Sequence, residues 1–179
     1  LWTAQGEGGG RFVCQRLSAG STSATTRFVA VVDMEDSFTF ELVAPTAEQV
    51  AGIEVGPATE ADGAFQLDTG YFFMEMCRGT GEGRGESKWG LRHFGRSVDR
   101  VDLIPSGNNA IGGFYGPFFT PENGLVNPPE HCVVEITPVE VGPLLHHYRM
   151  HGVIPDGLLP ELADKSFTID WTFTHGSDF

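Results

Sequence analysis

The sequence predicts a mainly β, single-domain protein: an antiparallel β-sandwich of jelly-roll type, or a closed β-barrel, with one or two short helices. Three observations lead there. Residues 37–43 (SFTFELV) and 166–173 (SFTIDWTF) alternate apolar and polar side chains with a period of two. Fourteen Phe and twenty-four Gly stand beside only two lysines, a balance of aromatics and turn-formers that suits short strands and tight connections. At 179 residues, 40% hydrophobic and 20% charged, the chain has a globular composition and length enough for one real core.

The elements follow in order. Residues 1–10 end in three glycines and read as a flexible N-terminal segment of the 1–179 domain. Residues 11–17 (RFVCQRL) alternate as a strand, 18–25 form a small polar loop, and 27–33 (RFVAVVD) are rich in β-branched residues. Met34 to Asp36 would turn the chain into 37–43, where Phe38, Phe40 and Leu42 share a face. Thr46 can cap a short helix over 45–51, closed by Gly52; Ile53 and Val55 suit a brief strand. Residues 71–77 (YFFMEMC) are a mostly apolar strand, placed centrally.

Residues 88–104 admit two foldings. Leu91, Phe94, Val98 and Val101 recur at three and four, while Lys88, Arg92, Arg96 and Arg100 recur at four, which on a helix would line the cations along one side. Gly90 and Gly95 weaken that helix by about 1 kcal/mol each. A strand ending near Phe94, with another over 98–104, is therefore preferred. Farther on, 111–119 suit an aromatic edge strand or a wall built of rings, Asn123-Gly124 marks a turn, and 132–137 form a strand. Residues 143–151 (PLLHHYRMH) read as a short helix, with Pro143 in its first turn and Gly152 as its stop.

Charge is distributed unevenly. Residues 78–100 hold six of the eleven basic residues (Arg78, Arg84, Lys88, Arg92, Arg96, Arg100) against three acids. Residues 28–77 carry ten acids and 101–148 carry five, with no Lys or Arg in either. The net charge of −13 opposes nonspecific binding to nucleic acid or anionic lipid over the whole surface. No apolar run approaches the roughly 18–20 residues that span a bilayer. Cys14, Cys77 and Cys132 match no zinc or redox spacing and sit in apolar settings, as buried thiols do.

Three groups of residues have chemical potential. The alternating glycines of 79–85 and the surrounding cations could present N–H groups and guanidinium planes to an anion or an acidic partner, though the spacing is not that of a nucleotide-binding loop. His147 and His151, four apart on the expected helix, would share a face and could ligate one divalent metal with His131, Glu130 or Glu135. Glu75 and Asp170 are carboxylates on apolar strands, and the alternation turns Asp170 to the polar side.

These features favour a non-catalytic binding or assembly domain. Its Gly/Arg segment would contact an acidic partner or another copy of the chain, anchored by Phe114, Tyr115, Phe118 and Phe119. The alternative is a small enzyme or ligand-binding barrel with an aromatic-lined pocket and a histidine-based metal or acid/base site. A nucleic-acid-binding component using only the 78–100 face is the third choice. No cofactor other than a divalent metal is implied.

Overall fold

The computed structural model describes residues 2–6, 11–18, 20–22, 24–30, 40–43, 59–61, 64–82, 89–104, 111–112, 118–120, 124–126, 131–142, 144–157 and 162–174. The architecture is mainly β and antiparallel throughout. One sheet has four strands in the order β3 (Arg27–Ala30), β2 (Arg11–Leu17), β1 (Trp2–Gly6), β4 (Phe40–Val43). A second has five in chain order: β5 (Thr59–Ala61), β6 (Ala64–Asp68), β7 (Phe72–Cys77), β8 (Gly90–Arg96) and β9 (Ile111–Gly112). A third has three: β12 (Glu135–Val141), β13 (Leu145–Val153) and β14 (Ser166–Thr174). The strands β10 (Phe118–Thr120) and β11 (Gly124–Val126) form a separate hairpin.

Alternation explains why these segments are strands. Phe65 and Leu67 of β6, Met74 and Met76 of β7 and Leu91 of β8 are buried, as are Ile136 of β12 and Tyr148 and Met150 of β13. The five-stranded and three-stranded sheets thus contribute to one core, joined by Trp89, Ile104, Cys132, Val134 and Ile154. Trp89, Met76, Tyr148 and Met150 expose essentially nothing. Burial of a side chain of that size is worth about 2–3 kcal/mol.

A buried amide ties the four-stranded sheet to the three-stranded one. The Gln15 carboxamide of β2 accepts from the Leu144 and Leu145 N–H groups (2.9 and 2.7 Å) and donates to the Leu145 carbonyl (3.1 Å). Nearby, the Ser18 N–H donates to the Glu140 carboxylate at 2.6 Å.

Several expectations change. No strand order closes into a barrel, and no α-helix is found, among the described residues. The segment expected as a helix over 143–151 is β13 instead. Leu144, His146, Tyr148, Met150 and Gly152 face inward, while His147, Arg149 and His151 alternate with them. A helix would have left the edges of β12 and β14 unpaired, whereas the strand joins β14 over nine residues and β12 over six. Gly152, expected as a helix stop, lies inside β13 beneath the Phe167 ring.

The segment read as loose at the N-terminus holds β1, which sits between β2 and β4 and is tied by backbone pairing to both. In the Gly/Arg segment the helical folding is excluded over β8, and the return strand over 98–104 reduces to a turn with one bridge, Gly95 to Asp102. The expected helix over 45–51 and the turn over 34–36 lie outside the described residues.

Candidate functional site

Among the described residues, the cations Arg78, Arg92, Arg96 and Arg100 do not all converge on one surface. Arg78 follows the end of β7 and Arg96 pairs with its first residue, Phe72, so the two sit at opposite ends of the strand, roughly 20 Å apart. Each described arginine of the segment also has a carboxylate in its own chain. Arg78 Nη2 lies 2.8 Å from Glu60, with its guanidinium over the Phe65 ring. Arg92 Nε lies 3.1 Å from Glu75, an ion-pair distance without hydrogen-bond alignment. Arg96 pairs with Asp99, and Arg100 Nη2 with Asp68 at 2.5 Å. Arg84 and Lys88 lie outside the described residues, as do Phe114, Tyr115 and Glu130; Phe118 and Phe119 are on β10.

What the turns around this segment do assemble is an apolar tip. The turn between β6 and β7 lies beside the turn after β8, linked by the Ser97 N–H donating to the Tyr71 carbonyl at 2.8 Å. Asp68 holds the two together: it accepts from the Gly70 N–H (2.9 Å), the Ser97 hydroxyl (2.6 Å) and Arg100. Burial alone would raise the Asp68 pKa, but those three partners outweigh it and hold the carboxyl below 3.8.

Asp102 braces the returning chain in the same way. It accepts from the Phe94 and Ile104 N–H groups (3.2 and 3.0 Å) and lies 2.5 Å from His93 Nδ1. Desolvation raises its pKa, and the hydrogen bonds from His93, Ile104 and Phe94 more than reverse the shift. Gly95 allows the close approach: a Cβ there would lie 2.1 Å from the Val101 carbonyl oxygen and 2.6 Å from the Phe73 ring.

This framework leaves apolar side chains in water. Val98 is 85% exposed, Leu103 62%, Val101 57% and Tyr71 50%. They are four of the seven large hydrophobic residues exposed among those described, gathered on two adjoining turns whose arginines are already paired. Isolated exposed apolar residues are ordinary; here four of them stand on segments that hydrogen bonds hold side by side.

The histidines separate. On a strand, His147 and His151 share the outer face but stand four residues apart, about 13 Å, which is too far to hold one ion. His147 Nε2 lies 2.8 Å from Asp170, and His151 Nδ1 lies 3.2 Å from the Thr168 hydroxyl. Asp170 is exposed, as its place in the alternation implies, and also takes two hydrogen bonds from Arg149; Arg149 first and His147 second hold its carboxyl below the usual range. Among the described residues no group of three His, Cys, Asp or Glu is placed to hold a metal.

Sequence reasoning passed over His146, which the strand turns inward. It is 1% exposed and stacked on Tyr148, whose hydroxyl lies 3.2 Å from Nδ1, while Nε2 has no partner. Burial lowers its pKa, pushes the Tyr148 phenol up to about 12 and pushes the Cys132 thiol up to about 11. Desolvation keeps these three groups uncharged near neutrality. All three cysteines are buried thiols; Cys132 donates to the Val153 carbonyl and Cys77 to that of Gly90.

At one end of the three-stranded sheet, β14 shows a further pattern. Its outward residues Ser166, Thr168, Asp170 and Thr172 are exposed, whereas its inward residues Phe167, Ile169, Trp171 and Phe173 are only half-buried. The inward residues of the adjacent β13 are fully buried. The core therefore thins across β14 rather than ending at it.

No protein-family model, curated protein or solved structure matches the chain. No helix among the described residues is long and apolar enough to cross a membrane.

Proposed function

We propose that the chain is a non-catalytic assembly domain whose 78–103 region contacts a second copy of itself through the apolar tip rather than through its arginines. The observation that carries this reading is the 85% exposure of Val98, beside Leu103, Val101 and Tyr71, on turns pinned by Asp68 and Asp102. Pre-ordered turns lose little conformational freedom on docking, so apolar burial there is less offset by ordering. The choice of the tip as the place where two copies meet rests on charge. Two chains of net −13 repel each other over most of their surface. At the tip, Arg96 and Arg100 already neutralise Asp99 and Asp68, so contact there meets the least repulsion. For the architecture, the core shared by the five-stranded and three-stranded sheets supports a two-layer sandwich over a closed barrel.

Sedimentation equilibrium of the wild type and of a Val98→Asp/Leu103→Asp variant tests the contact. The wild type should show a mass above 19.4 kDa that rises between 50 mM and 500 mM NaCl, because salt screens the repulsion without weakening apolar burial. The tip variant should lose that component of association. A mass that falls with salt, or one that the double substitution leaves unchanged, would refute the tip as the contact.

A further inference from the structure

The strand β14 ends the order of its sheet, and among the described residues only β13 pairs with it. Exposed sheet edges are ordinarily blunted by proline, bulges, charge or brevity. The opposite edge, β12, follows that rule, with Pro138 in the strand, a register shift between Pro138 and Glu140, and the exposed acid Glu135. By contrast β14 runs nine residues with an unbroken register and no proline. Its one charge, Asp170, is held by Arg149 and His147 of the neighbouring strand. Its inward apolar row is only half-covered. A further strand at this edge would take up the backbone groups that no described strand pairs and continue the apolar layer beyond Ile169 and Trp171.

We propose that β14 pairs antiparallel with β14 of a second copy across a two-fold axis perpendicular to the sheet, joining two three-stranded sheets into one of six strands. The strand's own pattern argues for a second copy as the occupant. A two-fold axis through a core-facing residue places apolar side chains beside apolar ones on the inner side and hydroxyls beside hydroxyls on the outer side. With the axis at Ile169, Phe167 lies opposite the other copy's Trp171, and Asp170 lies opposite its Thr168. With the axis at Trp171, Ile169 faces Phe173 and Asp170 faces Thr172. An axis at Asp170 would set two carboxylates directly against each other, an arrangement that destabilises a cross-strand pair. An axis between residues would put the apolar row of one copy on the solvent side of the other. The pairing belongs to Ile169 or Trp171. It is independent of the tip, which lies on the five-stranded sheet.

Amide hydrogen exchange reads this directly on the wild type. In a lone chain, alternate β14 amides point away from β13 and exchange freely while their neighbours are protected. In the pair, the amides near the axis should slow by tenfold or more as protein concentration rises, in step with a doubling of mass. Ile169→Lys, which puts a charge into the inward row at the edge, should abolish both changes; Val98→Asp/Leu103→Asp should leave the β14 protection intact. If alternate β14 amides stay unprotected at millimolar concentration, the pairing does not occur. If they slow in step with mass equally in the Ile169→Lys variant, the wild-type change does not report pairing at this edge, and the proposal fails.

Discussion

Lowering the pH from 7.5 to 5.5 should destabilise the fold through His146. Its ring is 1% exposed, and Nε2 has no hydrogen-bond partner to receive a new proton's charge. Burial therefore sets its folded pKa below the ordinary 6.5. As pH falls through 6.5, the unfolded chain binds a proton on this ring that the folded chain does not. Unfolded minus folded proton number is positive, so stability is greatest above 6.5 and declines as pH drops toward the depressed folded value. The limiting slope for one proton is about 1.4 kcal/mol per pH unit, against a total of about 5–15 kcal/mol for a typical domain. Urea unfolding at pH 7.5, 6.5 and 5.5 measures it, with His146→Gln as the reference. Gln can still bond the Tyr148 hydroxyl but does not titrate, so the difference between the two proteins cancels the carboxylates, including Asp68, Asp102 and Asp170. The wild type should lose up to about 1 kcal/mol more than the variant over the lower unit, since the unfolded ring is only half protonated at its start. Parallel pH curves, or a His146 ring resonance titrating at 6.5 or above, would refute the reasoning.

Two structural predictions accompany the tests of the tip and of β14. Gln15→Ala removes the buried carboxamide oxygen that accepts from the Leu144 and Leu145 N–H groups, leaving those two donors unmatched while the Leu145 carbonyl keeps the Gly142 N–H, and should cost about 2–4 kcal/mol in urea unfolding; a loss below about 0.5 kcal/mol would mean that water replaces it at no cost. Gly95→Ala forces a methyl against the Val101 carbonyl and the Phe73 ring, so it should cost about 2–3 kcal/mol and raise exchange at the Leu103 amide, which now donates to the Phe94 carbonyl; unchanged exchange there would show that the returning chain shifts freely.

Much of the β framework was legible in the sequence because period-two alternation is a local property. Residues 166–173 and 71–77 became β14 and β7 almost unaltered, and the side of β14 on which Asp170 sits followed from parity alone. The segment PLLHHYRMH was misread because proline at its start, glycine at its end and histidines four apart satisfy helical cues equally well. Only the two neighbouring strands, whose edges need partners, decide between the periods, and they lie at other places in the chain. The cationic segment failed differently. Clustering along the chain says nothing about clustering in space when a strand runs between Arg78 and Arg96, or about the acids that fold back to meet them.

By itself the sequence determined a β-rich, acidic protein with many turns, because side-chain alternation, net charge and glycine content are all set before folding. Tertiary structure alone decided which charges are spent within the molecule, which histidine is buried, and where apolar side chains remain in water. Those outcomes depend on pairing between strands distant in the chain, which places Asp68 beside Arg100 and turns Val98 outward.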